Sequence, residues 1–161
     1  MAYDLIQMHC RITGPEGAAT LDPARLRQRK LLKVMDSRTR SLVAAAQAAA
    51  DAAGLPYPAG PRCALCVGLE ASSLGQESWT GTAADLPPLW MLTWLPNMPA
   101  AHLALQLGAG GPAHTFSCSS GQLWDEALTL SREWLEAGEA DRVLAAIAGR
   151  DGVRAAVISP S

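Results

Sequence analysis

Four cysteines, at 10, 63, 66 and 118, and three histidines are the side chains here with the most nucleophilic or metal-binding chemistry to offer. Of these, Cys118 has the most suggestive setting. It lies in Gly110–Gly121, which reads Gly-Gly-Pro-Ala-His-Thr-Phe-Ser-Cys-Ser-Ser-Gly. The pattern predicts a short strand from His114 to Ser117 that turns near Ser119 into a helix running to Gly138. A cysteine at a helix N-terminus has its thiol pKa lowered by the helix dipole and by unpaired amides. The small residues after it, Ser119, Ser120 and Gly121, would let a substrate carbonyl approach backbone N–H groups, as an oxyanion hole requires. The alternative reading is an inert thiol packed where only small side chains fit.

The other candidates read as structural. Cys63 and Cys66 form C-x-x-C, but on a strand that spacing sends them to opposite faces, and no second pair completes a zinc site. His9 falls in a predicted strand and His102 in a predicted helix. His114 shares strand parity with Cys118 but stands four residues, roughly 13 Å, away. Gly108-Ala-Gly-Gly-Pro-Ala fits a dinucleotide fingerprint in letters only. That motif needs a strand before it and a helix after it, and here the order is reversed. No cofactor and no metal are expected.

The elements that must position Cys118 follow from periodicity and turn chemistry. A first strand is predicted over 3–12, closed by Gly14-Pro15. Asp22-Pro23 starts a helix predicted over Ala24–Ala53, with a break near Asp36, which could cap a second segment; Gly54 ends it. Arg62–Leu69 is a strand. Residues 70–97 are irregular, with Trp79, Trp90 and Trp94 as a candidate hydrophobic contact surface. A helix leads into the cysteine strand. The helix after it has one apolar face (Leu123, Trp124, Ala127, Leu128, Leu130, Trp134, Leu135). Its other face is polar: Gln122, Asp125, Glu126, Thr129, Arg132, Glu133 and Glu136. Arg142–Ala148 and Val153–Ser159 form a hairpin across Gly149-Arg-Asp-Gly. The sum is an α/β fold with a five-stranded mixed sheet, expected to be one domain over 1–161.

Composition narrows the function classes. The net charge of −2 argues neither for nucleic acid nor for an acidic tail, no nucleic-acid partner is expected, and no apolar run reaches the ~18 residues of a membrane span. Without a disulfide framework or secretory segment, a cytoplasmic protein with reduced thiols is expected. Residues 25–40 hold seven of the thirteen Lys and Arg against one acid, Asp36. Such a run is either a solvated face or a docking patch for an acidic partner, with Arg25, Arg27, Arg29, Lys30 and Lys33 at its centre.

Gly-Pro-x-x-Thr-x-x-Cys-Ser-Ser-Gly at 111–121, the helix after it and Gly-Glu-Ala-Asp-Arg-Val-Leu-Ala-Ala at 138–146 resemble the active-site region of β-ketoacyl synthases, members of the thiolase superfamily. The Ala-Gly-Leu ending of the first helix, Arg62-Cys-Ala-Leu-Cys-Val-Gly and the 95–108 segment extend the resemblance over most of 22–158. It implies the N-terminal half of a thiolase-like fold, with Cys118 matching the acyl-accepting cysteine. It also implies an acyl carrier protein as the acidic partner. The strand His114, Thr115, Phe116 and Ser117 would pair across a twofold axis with a second copy or a full-length synthase. In that family a second half supplies the histidines, or histidine and asparagine, and the lysine that stabilise the condensation enolate. No residue here matches them. In full-length synthases a long insertion separates the last two strands; here they are joined directly. The polar face of the cysteine helix departs from the family, where that helix is apolar nearly all round, and suits a chain without the second half. The implied role is a non-condensing accessory subunit in polyketide or fatty-acid-type biosynthesis. The alternatives are an acyltransferase or thioesterase-like enzyme using Cys118, and a purely architectural half-fold.

Overall fold

The structure is a computed structural model that describes residues 10–14, 19–71, 81–86 and 89–161. Its centre is β2 (Cys63–Glu70), in which every residue is buried. Cys-Ala-Leu-Cys-Val-Gly-Leu is apolar on both faces, as a strand covered on both sides by helices must be. β2 pairs parallel with β3 (Ala113–Cys118) on one side and with β4 (Arg142–Gly149) on the other. β5 (Gly152–Pro160) folds back antiparallel on β4, and β1 (Cys10–Thr13) pairs antiparallel with β5. The five strands lie in the order β1-β5-β4-β2-β3, a mixed sheet with β3 at one edge.

Strand alternation divides the core. Leu65, Val67 and Leu69 of β2, with Leu144, Ala146 and Val157, face α1 (Ser37–Ala52) and α3 (Met98–Leu107). Ala64, Cys66, Val143, Ala145 and Ile158 face α4 (Leu123–Glu136). The alanine stripe of α1 (Ala45, Ala46, Ala49, Ala50) is buried, so this helix packs close to the sheet. Asp36 caps it, its Oδ1 accepting from the Thr39 N–H at 2.6 Å, and Gly54 leaves it at φ +61°, the left-handed conformation glycine tolerates. α2 (Met91–Trp94) is a single turn before α3.

Two expectations need correction. Of the helical run predicted over Ala24–Ala53 with a break near Asp36, the part after the break is α-helical, from Ser37; the part before it is two 3-10 segments, Pro23–Arg25 and Arg29–Val34, and not α-helix. The reason is tertiary. Buried Gln47 on α1 accepts from the Asp22 N–H at 3.2 Å, and buried Gln106 on α3 bonds both backbone groups of Gln28. Backbone groups held by distant carboxamides cannot close an α-helical ladder. The second correction concerns α4, which begins at Leu123 rather than near Ser119.

The first strand is observed only at Cys10–Thr13; residues 3–9 of its predicted span, including His9, lie outside the described residues, as do all of 72–80, Trp79 included. Within the predicted irregular stretch, Ala83–Asp85 forms a short 3-10 turn. No helix among the described residues is long and apolar enough to cross a membrane.

Candidate functional site

Cys118 ends β3 at the C-terminal edge of the parallel strands, the edge where ligands of such sheets bind. Its register partner on β2 is Glu70. His114, Phe116 and Cys118 alternate onto the face covered by α4. There they line an open groove of about 340 Å³ whose other wall is Glu126, Thr129, Leu130 and Glu133.

The electrostatics of this groove oppose the activated thiol expected from the sequence. Four residues, Ser119–Gln122, separate Cys118 from the first turn of α4, so the cysteine closes a strand and does not sit on a helix N-terminus. The dipole's effect falls off within the terminal turn. Partial burial pushes the Cys118 thiol above its ordinary value, and the Glu126 carboxylate adds to the rise by repelling a thiolate. His114 is exposed on the same strand face, four residues away. That spacing, roughly 13 Å, is beyond direct proton transfer to Cys118.

The two serines after Cys118 have defined side-chain partners. Ser119 Oγ donates to Gln122 Oε1 at 2.7 Å, while Ser120 Oγ accepts from the Arg150 N–H at 2.8 Å. Ser120 thereby ties the cysteine loop to the β4–β5 turn. Arg150 also reaches Glu70, Nη2 to Oε1 at 3.5 Å. The sequence reading passed over Glu70, Arg150 and the inward role of Glu126 and Glu133. The available signal was Glu70 as the only charge on an otherwise apolar strand, and the i,i+7 pair of acids on one side of α4.

Cys63, Cys66 and His102 behave as structural groups. Burial pushes Cys63 up and Cys66 up to about 12, so both stay thiols. Buried His102 places Nε2 2.9 Å from the Leu92 carbonyl oxygen, linking α3 to α2. Among the described residues no three His, Cys, Asp or Glu side chains gather as a metal site.

The basic run divides into tied and free charges. Arg25 forms a two-pronged pair with Asp51, Nη2 to Oδ1 at 2.6 Å, and stands 5.5 Å from the Tyr57 ring centre. Arg25 holds the Asp51 carboxyl below its usual range. Arg27 packs over Gly108: a Cβ built on that glycine would lie 2.2 Å from Arg27 Nη1. Arg29, Lys30 and Lys33 remain exposed. A separate apolar surface is formed by exposed Leu89, Met91 and Leu95.

Among the described residues β3 pairs with β2 alone. The Leu65 N–H bonds the Pro112 carbonyl at 2.8 Å. A parallel ladder alternates from that bond, so His114 and Phe116 bond β2 while Thr115 and Ser117 turn their backbone groups to the free edge.

A family model for the β-ketoacyl synthase N-terminal domain matches residues 11–153. Three solved structures share the fold. The AntDE:AntF assembly, a type II polyketide-synthase acyl-carrier protein in complex with its ketosynthase bound to the hexaketide, is similar at TM-score 0.66 and 16% identity, over 87% of this chain and 51% of that one. The ketosynthase from module 6 of the bacillaene synthase of Bacillus subtilis 168 is similar at 0.58 and 20%, over 86% of this chain and 27% of that one. For 3-oxoacyl-[acyl-carrier-protein] synthase III from Aquifex aeolicus VF5 the values are 0.52 and 16%, over 96% and 53%. The chain thus spans about half the length of the first and third, 51% and 53%, and 27% of the second. No curated protein matches it by sequence.

Proposed function

Because this chain belongs to the β-ketoacyl synthase N-terminal-domain family, we propose that it is a non-condensing accessory or partner subunit of polyketide or fatty-acid-type biosynthesis, folded as one domain over 1–161. The groove beside Cys118 carries the reading. Condensation needs a thiolate, a stabilised enolate and a bound malonyl thioester, whose free carboxylate is negative at neutral pH. Here the thiol is raised by burial and by Glu126, and the groove holds Glu126 and Glu133, which repel a malonyl carboxylate. The imidazole on its wall, His114, is too far along the strand to act as base.

Two surfaces suit a partner role. Arg29, Lys30 and Lys33 form an exposed cluster for an acidic acyl carrier protein, with Arg25 and Arg27 buttressing it from their own contacts. A structural relative is itself a ketosynthase in complex with an acyl-carrier protein. The free edge of β3 suits pairing with a second copy or with a full synthase. An unpaired strand with no lysine, arginine or carboxylate is otherwise an aggregation hazard.

The second reading, an acyltransferase or thioesterase-like enzyme, rests on Cys118 lining the groove, with the backbone N–H groups of Ser119 and Ser120, next in the chain, as its oxyanion donors. Intact mass after incubation with acyl-CoA and acyl-carrier-protein donors separates the two. An unchanged mass supports the accessory role. An acyl adduct that Cys118→Ala abolishes supports the enzyme.

A further inference from the structure

At the edge of the sheet opposite β3, three strands set a row of polar side chains on one face. Arg11 of β1 is in register with Ser159 of β5. Val143 pairs with Ile158, so the next position of β4, Arg142, stands across from Ser159 on its other side. Two arginines therefore flank one hydroxyl, their Cα atoms two strand spacings, about 10 Å, apart. Thr13, one step along the same face, adds a second hydroxyl. These residues line a cleft of about 310 Å³.

The charges in the cleft do not cancel. Its carboxylate, Asp141, is engaged by Arg62, Nη2 to Oδ1 at 2.6 Å, and Arg62, with a smaller contribution from Arg142, holds Asp141 below the usual carboxylate range. One carboxylate against Arg62, Arg11 and Arg142 leaves a surplus of two positive charges. The C-terminal turn of α1 closes the wall at Ala53 and brings a partial negative charge, about half a unit, which two guanidinium groups exceed. Arg142 Nη1 is buried and meets no hydrogen-bond partner among the described residues. A buried guanidinium donor left unmet is costly, and an anion with several oxygens is the partner that satisfies it.

We propose that this cleft binds a phosphate group, gripped between Arg11 and Arg142 with Ser159 and Thr13 donating hydroxyl hydrogen bonds. The site is separate from the Cys118 groove, because Arg142 opens β4 at the end of the sheet remote from Cys118. The spacing favours phosphate over a carboxylate: two planar guanidinium groups on opposite sides need oxygens on opposite sides. The phosphate can be free inorganic phosphate or the terminal group of a small phosphomonoester.

Amide chemical shifts of the full chain, titrated at constant ionic strength with inorganic phosphate and with glycerol 3-phosphate against a chloride control, test this. Saturable shifts at Arg11, Thr13 and Ser159 are expected with one or both phosphates, the tighter binder identifying the source. Arg142→Gln and Arg11→Gln should each weaken binding by roughly tenfold or more, and Arg29→Gln should not. The spectra also report whether each variant is folded; Arg11 is exposed, so its variant remains informative if Arg142→Gln unfolds. Absence of saturable shifts, equal affinity in a folded variant, or shifts centred on Arg29–Lys33 would overturn the proposal.

Discussion

Gln106 holds Gln28 by two hydrogen bonds across 78 positions of sequence: its Oε1 accepts from the Gln28 N–H at 3.1 Å and its Nε2 donates to the Gln28 carbonyl at 3.1 Å. The carboxamide imitates the edge of a strand and holds the segment bearing Arg25 to Lys33 out of an α-helical path.

Gln106→Met keeps the volume and removes both bonds, leaving the Gln28 N–H without its partner while the Gln28 carbonyl keeps the Leu31 N–H at 3.0 Å. A loss of about 1–3 kcal/mol is expected from denaturant unfolding. Amide exchange at Gln28 should accelerate by more than the global loss of stability explains. An unchanged midpoint would mean that the clamp contributes nothing.

The pH dependence of Cys118 alkylation follows from its raised thiol pKa. The thiolate reacts, so the rate at neutral pH should fall below that of an unstructured cysteine peptide, and its midpoint should lie at higher pH. Glu126→Gln removes a negative charge facing the thiolate, so the midpoint should move down and the neutral-pH rate should rise. A midpoint below that of the peptide would restore the activated thiol predicted from the sequence.

Ser120 and Gly149 should be energetically coupled. A Cβ on Gly149 would lie 2.4 Å from Ser120 Oγ and 3.1 Å from Leu123 Cδ1. Gly149→Ala should cost about 1–3 kcal/mol, and Ser120→Gly should recover part of that loss in the double variant. Additive losses would place the strain elsewhere.

Thr115→Pro tests the free edge of β3. The alternation of the ladder turns the Thr115 N–H away from β2, so proline there removes an outward donor and spares the β2–β3 bonds. If the edge pairs with another chain, sedimentation should show a dimer that this variant converts to a folded monomer. A folded parent monomer at micromolar concentration would show the edge to be unpaired in this chain alone.

The sequence by itself determined the elements whose signals are local. The strand predicted over Arg62–Leu69 is β2, Cys63–Glu70; Gly149-Arg-Asp-Gly made a hairpin; Asp36 capped a helix. The exposed face of α4 also fell where its polar residues recur every three to four positions. Tertiary structure decided what depends on residues far apart. The Pro23–Val34 region left the helix because Gln47 and Gln106 captured its backbone groups. Cys118 lost its expected activation because its loop delays α4 to Leu123 while Glu126 faces the thiol. Arg11 and Arg142 became neighbours only when β5 came between their strands. Propensity and periodicity act over one or two turns of chain, whereas the field at a side chain is set by whatever the fold packs within several ångströms of it.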